Sequence, residues 1–242
     1  MTINLPPEFV SFHALVEKIE SKTSGSRFAL QIGAMDGIKF DLLHPHLING
    51  KWHGLLVEPV PDMFEKLRLT YKGCSQLQFA NCAVAGHNGS LTLRRIDPAA
   101  VEKGLIPEEA LGITSSFADR SLLSHPKFSQ AYPEVAKNYI RELEIPCCPL
   151  NDLLERYDVK AIDLAVIDTE GADWLIIRQL DLKRFAPSVI CMEYTDLPEN
   201  EVQDCYNHFS SYGYRAALCA EDHQNLIFSA FRSLNEHNPP FA

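Results

Sequence analysis

No stretch of the chain reaches the ~18 consecutive apolar residues that a helical membrane span needs. Basic residues are scarce: 22 Lys and Arg stand against 32 Asp and Glu, for a net charge of −10. No basic run offers itself to nucleic-acid phosphates or to an anionic membrane surface, so neither partner is expected. There is no C-x-x-C pair, and the seven cysteines are an odd number. A disulfide framework and a zinc ribbon are therefore set aside, and reduced thiols in a cytoplasmic protein are expected. The opening, MTINLPPEFVSFHALVEKIESK, lacks a basic region followed by an apolar core and is not read as a secretory signal. Repeats, low-complexity tracts and Gly/Ser linkers are also missing. What remains is an ordinary globular mixture, 46% hydrophobic and 22% charged over 242 residues. A chain of that length can bury roughly 70–75% of its unfolded surface without staples, and one domain over residues 1–242 is expected.

Along the chain, apolar runs alternate with helical spacing. Phe9, Phe12, Leu15, Val16 and Ile19 give a helix over 7–21, within an N-terminal helical segment 1–25. Strands follow at 27–33 (RFALQIG), 53–59 (HGLLVEP) and 77–85 (LQFANCAVA). A helical stretch over 39–43 is interrupted by Pro45, and 61–72 forms a helix with Pro61 and Asp62 in its first turn. SLTLRRI, 90–96, alternates like an exposed strand. Residues 97–140 carry Pro98, Pro107, Pro126 and Pro133 and read as an insertion of short helices over a site. Strand character resumes at 142–150, with a helix at 151–157 capped by Asn151. Then come a strand within 161–171, a helix at 172–180, a strand at 187–194 and a helix at 199–211. Two strands, 214–222 and 225–231, are joined by a turn at His223-Gln224. Alternating strands and helices mean a doubly wound parallel α/β sheet, its strands apolar because both faces are covered. The last two strands have almost no connection between them and must pair antiparallel. A doubly wound sheet ending in a hairpin is the pattern of the class I methyltransferases, a Rossmann-like fold.

Candidate chemistry sits at strand ends, where open α/β sheets bind ligands. The run Gln31-Ile32-Gly33-Ala34-Met35-Asp36-Gly37 turns from the first strand with G-x-x-x-G spacing. It lets the backbone approach a ligand, and it equally suits a tight strand–helix turn. Glu58 ends the next strand, twenty-five residues after Gly33. A carboxylate there can accept two hydrogen bonds from a ribose diol, or simply be a solvated strand-end acid. Asn81, Cys82 and Ala83 can flank an adenine or belong to a buried strand. Asp168-Thr169-Glu170-Gly171 and Glu193 bring three acids to the same rim, suggesting ligand, helix-start or metal contact. His44 and His46 around Pro45 lack a third metal ligand. His125 can serve as a general base or be an ordinary loop histidine. Ser115 and Ser116 can reach a ligand or supply loop polarity, while Tyr132 and Tyr139 read as packing.

Taken together, QIGAMDG, GLLVEPVPDMFEKL, NCAVAGHNGSLTL, CPLNDLL, LAVIDTEGADWLI and PSVICMEY resemble the FkbM family of S-adenosylmethionine-dependent methyltransferases. They run in family order over about residues 27–196. The resemblance implies cofactor contacts at Gln31, Gly33, Ala34, Met35, Asp36 and Gly37, a ribose carboxylate at Glu58 beside Pro59, and adenine contacts at Asn81, Cys82 and Ala83. It places Asp168 near the reacting end, serving cofactor and catalysis, with Glu170 and Glu193 as the other catalytic candidates. Two positions depart from the pattern: Gln31 stands where many methyltransferases carry an acid, and Met35 where this family often has Asn. The expected activity is O-methylation of a small-molecule or glycan hydroxyl, with no metal required for cofactor binding. An NAD(P)-dependent oxidoreductase is the alternative enzyme, against which the missing G-x-G-x-x-G and the terminal hairpin argue. A methyltransferase-like binding protein without turnover is the alternative from another class.

Overall fold

The computed structural model describes residues 8–22, 25–115, 123 and 126–231. It opens on a two-residue strand, Phe9–Val10 (β1), and a helix, Phe12–Lys22 (α1). The helix expected over 7–21 starts later because Ser11 caps it, its hydroxyl accepting the Ala14 N–H at 3.2 Å. Glu221, from the far end of the chain, accepts the Phe12 N–H at 2.9 Å. The face marked by the spacing, Phe12, Leu15, Val16 and Ile19, is buried.

Next come Arg27–Ile32 (β2), His44–Leu47 (α2), Trp52–Val57 (β3), Pro61–Thr70 (α3) and Leu77–Ala80 (β4). Residues 39–43 turn instead of forming the expected helix, and Pro45 does not interrupt anything. It lies in the first turn of α2, where a missing N–H is harmless. The strand expected over 77–85 splits at Asn81, and Ala83–Val84 (β5) joins a second sheet. That sheet also takes Gly89–Ile96 (β6), Thr114–Ser115 (β7) and Ile140–Cys148 (β8), in the order β5-β8-β6-β7. Strands 90–96 and 142–150 thus pair with each other and stay out of the main sheet. Between β6 and β8 lie the short helices Pro98–Glu102 (α4), Pro126–Ala131 (α5) and Pro133–Asn138 (α6), with a 3-10 turn at Glu108–Gly112.

The chain then returns through Leu150–Arg156 (α7), Leu164–Ile167 (β9), Asp173–Ile177 (α8), Val189–Glu193 (β10), Glu199–Ser211 (α9), Arg215–Cys219 (β11) and Asn225–Ser229 (β12). Asn151 does not cap α7. The helix already begins at Leu150, whose N–H goes to Gln179 Oε1 at 3.0 Å.

The main sheet runs β1-β11-β12-β10-β9-β2-β3-β4. Strands β10, β9, β2, β3 and β4 are parallel, and β12 lies antiparallel between β10 and β11 as the terminal hairpin. Strand β2 pairs with β3, its successor, and with β9, which arrives after a long excursion. The order reverses there, the switch point at which such sheets open a crevice. Register makes that crevice level: Met192, Ile167, Ile32, Val57 and Ala80 stand in one row across the five strands.

The second sheet has its own apolar core. Leu93, Ile96, Phe128, Val135 and Ile145 pack with Val60 and Met63 at the head of α3. Arg95, buried on β6, makes two hydrogen bonds to the Asp62 carboxylate of α3, one of them at 3.1 Å, which fixes the second sheet over the switch point. Among the described residues no helix is long and apolar enough to cross a membrane.

Candidate active site

One residue beyond the level row lie Glu193, Asp168, Gly33, Glu58 and Asn81, the strand-end positions singled out by the sequence. They surround a cavity of about 930 Å³ at the carboxyl ends of the parallel strands, with the exception of Asn81. As β2 ends, the N–H groups of Gly33 and Ala34 both donate to the Val57 carbonyl, at 2.9 and 3.0 Å. The chain leaves the sheet in a tight turn, with Met35 at φ 48°. Gln31, Gly33, Ala34 and Met35 line the cavity. Asp36 and Gly37 stand behind that wall. The Asp36 carboxylate accepts the N–H groups of Ile38 and Lys39 at 3.0 and 2.9 Å, and Gly37 is pressed against Leu67 of α3 and Tyr71 just after it. These contacts hold the turn.

Glu58 is buried, 5% exposed. Its two oxygens accept the N–H groups of Met35 and Val60, each at 2.8 Å. Burial pushes its carboxyl up to about 7 despite those bonds, which favour the ionised form. Each oxygen keeps a lone pair for a further donor, and the residue, with Pro59, lines the cavity. Asn81 is exposed and turns back, its amide donating to the carbonyls of Glu58 and Pro59 at 2.8 and 3.0 Å. It holds the Glu58 turn, while Cys82 and Ala83 face the cavity. Burial, aided by the neighbouring Cys148 thiol, raises the Cys82 thiol to about 12.

On the other side of β2, Asp173 is fully buried and accepts the N–H groups of Thr169 and Gly171, both at 3.3 Å. That bond pair shapes the loop carrying Asp168 and Glu170, the latter at φ 55°. The Asp168 side chain opens to the cavity, yet protein surrounds it. Desolvation and the carboxylates of Asp222, Asp41 and Asp196 raise it to about 6. Desolvation and the same crowding, with Glu193 nearest in effect, put Glu170 well above its ordinary value. Glu193 rises to about 7, through burial first and Asp168 second. One Glu193 oxygen accepts the Thr195 hydroxyl at 2.6 Å, and the other is buried with no partner. Glu170, Glu193 and Asp196 bring one oxygen each within 4.8 Å of one another, a set able to hold a divalent cation.

Four acids on the cavity wall escaped the sequence reading: Asp41, Glu109, Asp196 and Asp222. Asp222 sits in the β11–β12 turn, accepting the N–H groups of Gln224 and Asn225 at 2.9 and 3.1 Å. An acid in a hairpin known to close on the sheet's carboxyl edge was the available signal. The insertion, read from the sequence as lying over a site, contributes Glu109 to Thr114 to this wall. Gly112 lies so near Met35 that a Cβ there would meet its sulfur at 2.7 Å, so the 3-10 turn closes over the β2 turn. His44 and His46 diverge. His44 lies 3.1 Å from the Tyr71 hydroxyl, and His46 pairs with His13 at 3.0 Å. Tyr132 packs on Phe128, and Tyr139 accepts the Lys103 ammonium at 2.6 Å. Ser116 and His125 lie outside the described residues, as does the side chain of Ser115.

The model of the FkbM methyltransferase domain matches residues 31–216. Among solved structures, the chain is similar to a methyltransferase FkbM from Methylobacillus flagellatus KT, with 12% identity and a TM-score of 0.50 over 86% of this chain. The match covers 45% of that structure, so the present chain spans less than half its length. At this identity the likeness shows the fold. Weaker matches include the METTL16 methyltransferase domain, at 11% identity and TM-score 0.46 over 90% of this chain and 66% of that one. The N-terminal domain of human METTL16 in complex with SAH matches at 11% identity and TM-score 0.45, over 96% of this chain and 76% of that one. No curated protein matches.

Proposed function

The chain belongs to the FkbM methyltransferase domain family, whose cofactor is S-adenosylmethionine, and we propose that it methylates a hydroxyl of a small-molecule or glycan acceptor. The observation that carries this reading is the level row. Gly33, Glu58, Asp168 and Glu193 follow residues in register on four parallel strands and share one cavity.

The residues fit the cofactor. Gln31 is buried and its amide oxygen has no partner, an acceptor waiting for a donor. Of Lys and Arg, only Lys39 lines the cavity among the described residues, against eight Asp and Glu. A wall so acidic suits a ligand carrying positive charge on sulfur and nitrogen. When bound, S-adenosylmethionine supplies an electrophilic methyl group on a sulfonium. Gln31 and the Gly33–Met35 turn would hold its amino-acid part, Glu58 its ribose hydroxyls, and Cys82 and Ala83 its base.

Asp168 would orient the acceptor hydroxyl and receive its proton, with Glu170 and Glu193 beside it as further acceptors. A carboxyl raised toward neutrality is better matched to that task than an ordinary one. Positioning supplies the rest, helped by the insertion, which covers the β2 turn at Met35 and limits water. All seven cysteines are free thiols, which supports a cytoplasmic setting, and the acidic surface charge supports an acceptor other than nucleic acid.

A thermal-shift panel tests the reading. S-adenosylmethionine and S-adenosylhomocysteine should raise the melting temperature, with and without EDTA, while NAD and NADP should not. Stabilisation by NAD without a response to S-adenosylhomocysteine would point to an oxidoreductase instead.

A further inference from the structure

Strand β2 ends without the acid that many methyltransferases carry there, and Gln31 occupies the place. Its side chain is 4% exposed, lines the cavity, and leaves Oε1 without a hydrogen-bond partner. A buried amide oxygen in that state costs free energy until a donor arrives. Against the Gln31 amide lies the carboxylate of Asp41, ten residues on, which also lines the cavity. Asp41 is held in place locally. Its Oδ1 accepts the Leu43 N–H at 2.8 Å, and the Tyr71 hydroxyl lies 3.5 Å from its Oδ2. From the opposite edge Asp222 reaches the same cavity, and Asp168 feels the charge of both. Lys39, the only Lys or Arg on the wall among the described residues, is engaged elsewhere, 3.5 Å from Glu108 and 3.7 Å from Glu109. The result is an amide acceptor and three carboxylates around one end of the cavity, with no Lys or Arg among the described residues on the wall free to balance them.

We propose that this chain has moved its ammonium-binding charge from the end of β2 to the following loop. Asp41, with Asp222 across from it, pairs the α-ammonium of the bound amino-acid moiety, and Gln31 Oε1 accepts one of its N–H bonds. The inference rests on the methyltransferase reading and names the residues that recognise the cofactor's cationic end. An ammonium has three donors, which Gln31, Asp41 and Asp222 can satisfy together, while Asp168 remains for the acceptor. A neutral or anionic group at that position would leave the carboxylates unbalanced.

The test is calorimetry on the full chain with S-adenosylhomocysteine, its analogue lacking the α-amino group, and 5′-methylthioadenosine, which lacks the amino-acid part. The wild type should bind S-adenosylhomocysteine at least about tenfold more tightly than the desamino analogue. Asp41→Asn keeps the shape and the Leu43 bond. It should weaken S-adenosylhomocysteine about tenfold or more and leave the other two ligands within about twofold. Asp222→Asn should act in the same sense. Gln31→Glu added to Asp41→Asn should restore the preference for the amino group, which a merely structural Asp41 would not allow. Equal weakening of all three ligands, or no weakening of any, overturns the inference while leaving the methyltransferase reading standing. If the wild type binds none of the three and does not bind S-adenosylmethionine, both fall.

Discussion

The main-chain oxygen of Asp168 occupies the space where a side chain on Gly33 would begin: a Cβ on Gly33 would lie 1.7 Å from it. Gly33 also has φ 86°, in the left-handed region. The loops leaving β2 and β9 therefore cross in contact, and the turn lining the cavity is fixed by the loop that carries Asp168. Gly33→Ala should cost about 3 kcal/mol or more, since backbone must move against backbone. Chemical denaturation measures the loss. A variant within about 0.5 kcal/mol of wild type would show that the two loops are free to part.

The strand ends that surround the cavity were more legible in the sequence than the layers around them, and for a physical reason. Continuous apolar runs ending in Gly33, Glu58, Asp168 and Glu193 mark buried parallel strands, and parallel pairing brings their ends level. Helix α1 was readable from Phe12, Leu15, Val16 and Ile19. The second sheet was not. Residues 77–85 read as one strand because a single Asn with no Gly or Pro beside it is a weak turn signal, and the Asn81 amide that fixes the bend bonds the distant carbonyls of Glu58 and Pro59. Such a bond is long-range and invisible in local letters. Asp41 and Asp222 were missed for the same cause, since their importance lies in which cavity they face.

Glu58 ties the turn after β2 to the start of α3 through the Met35 and Val60 N–H groups, so Glu58→Ala should act twice. Losing two charge-assisted bonds to a ribose should weaken S-adenosylhomocysteine by about 2–4 kcal/mol. Losing its bonds to the Met35 and Val60 N–H groups should lower stability by about 1–3 kcal/mol. Calorimetry and denaturation read these separately. Unchanged affinity in a folded variant would remove Glu58 from the cofactor site.

The raised carboxyls give a pH dependence with a definite sign. Glu58 and Glu193 rise to about 7 in the folded chain, from 4.5 for an ordinary glutamate. Between those values the folded state binds more protons than the unfolded one, so these groups make stability fall as pH rises through the window. Carboxylates held below the ordinary value, such as Glu221, act at lower pH and do not mask it. A bound cation favours the ionised forms, so the affinity for S-adenosylmethionine should rise with pH over the same range. The neutral thioether of S-adenosylhomocysteine should respond less. Denaturation of the ligand-free protein from pH 5 to pH 7.5 should show a decline that Glu58→Gln flattens. A decline that survives Glu58→Gln unchanged would assign it to other groups.

Asp168 is placed to serve either the acceptor or the cofactor, and one variant separates the two. It lies one residue past Ile167, which pairs with Ile32, so it stands beside the turn that would hold the cofactor. Its side chain opens to the cavity, and burial with Asp222 and Asp41 nearby raises it to about 6, closer to a working base than a free aspartate. Asp168→Asn keeps the volume and the main-chain oxygen beside Gly33 while removing the charge. If Asp168 orients the acceptor hydroxyl and takes its proton, kcat should fall by ~10²–10⁴ with little change in the Kd for S-adenosylmethionine. The loss should not be recovered at saturating cofactor, because the interaction removed is one made with the acceptor as the methyl group leaves sulfur. A raised Kd with kcat preserved at saturation would make Asp168 a cofactor-binding residue. The proton acceptor would then be sought at Glu170 or Glu193, the other two acids on the same rim, by the corresponding Gln variants.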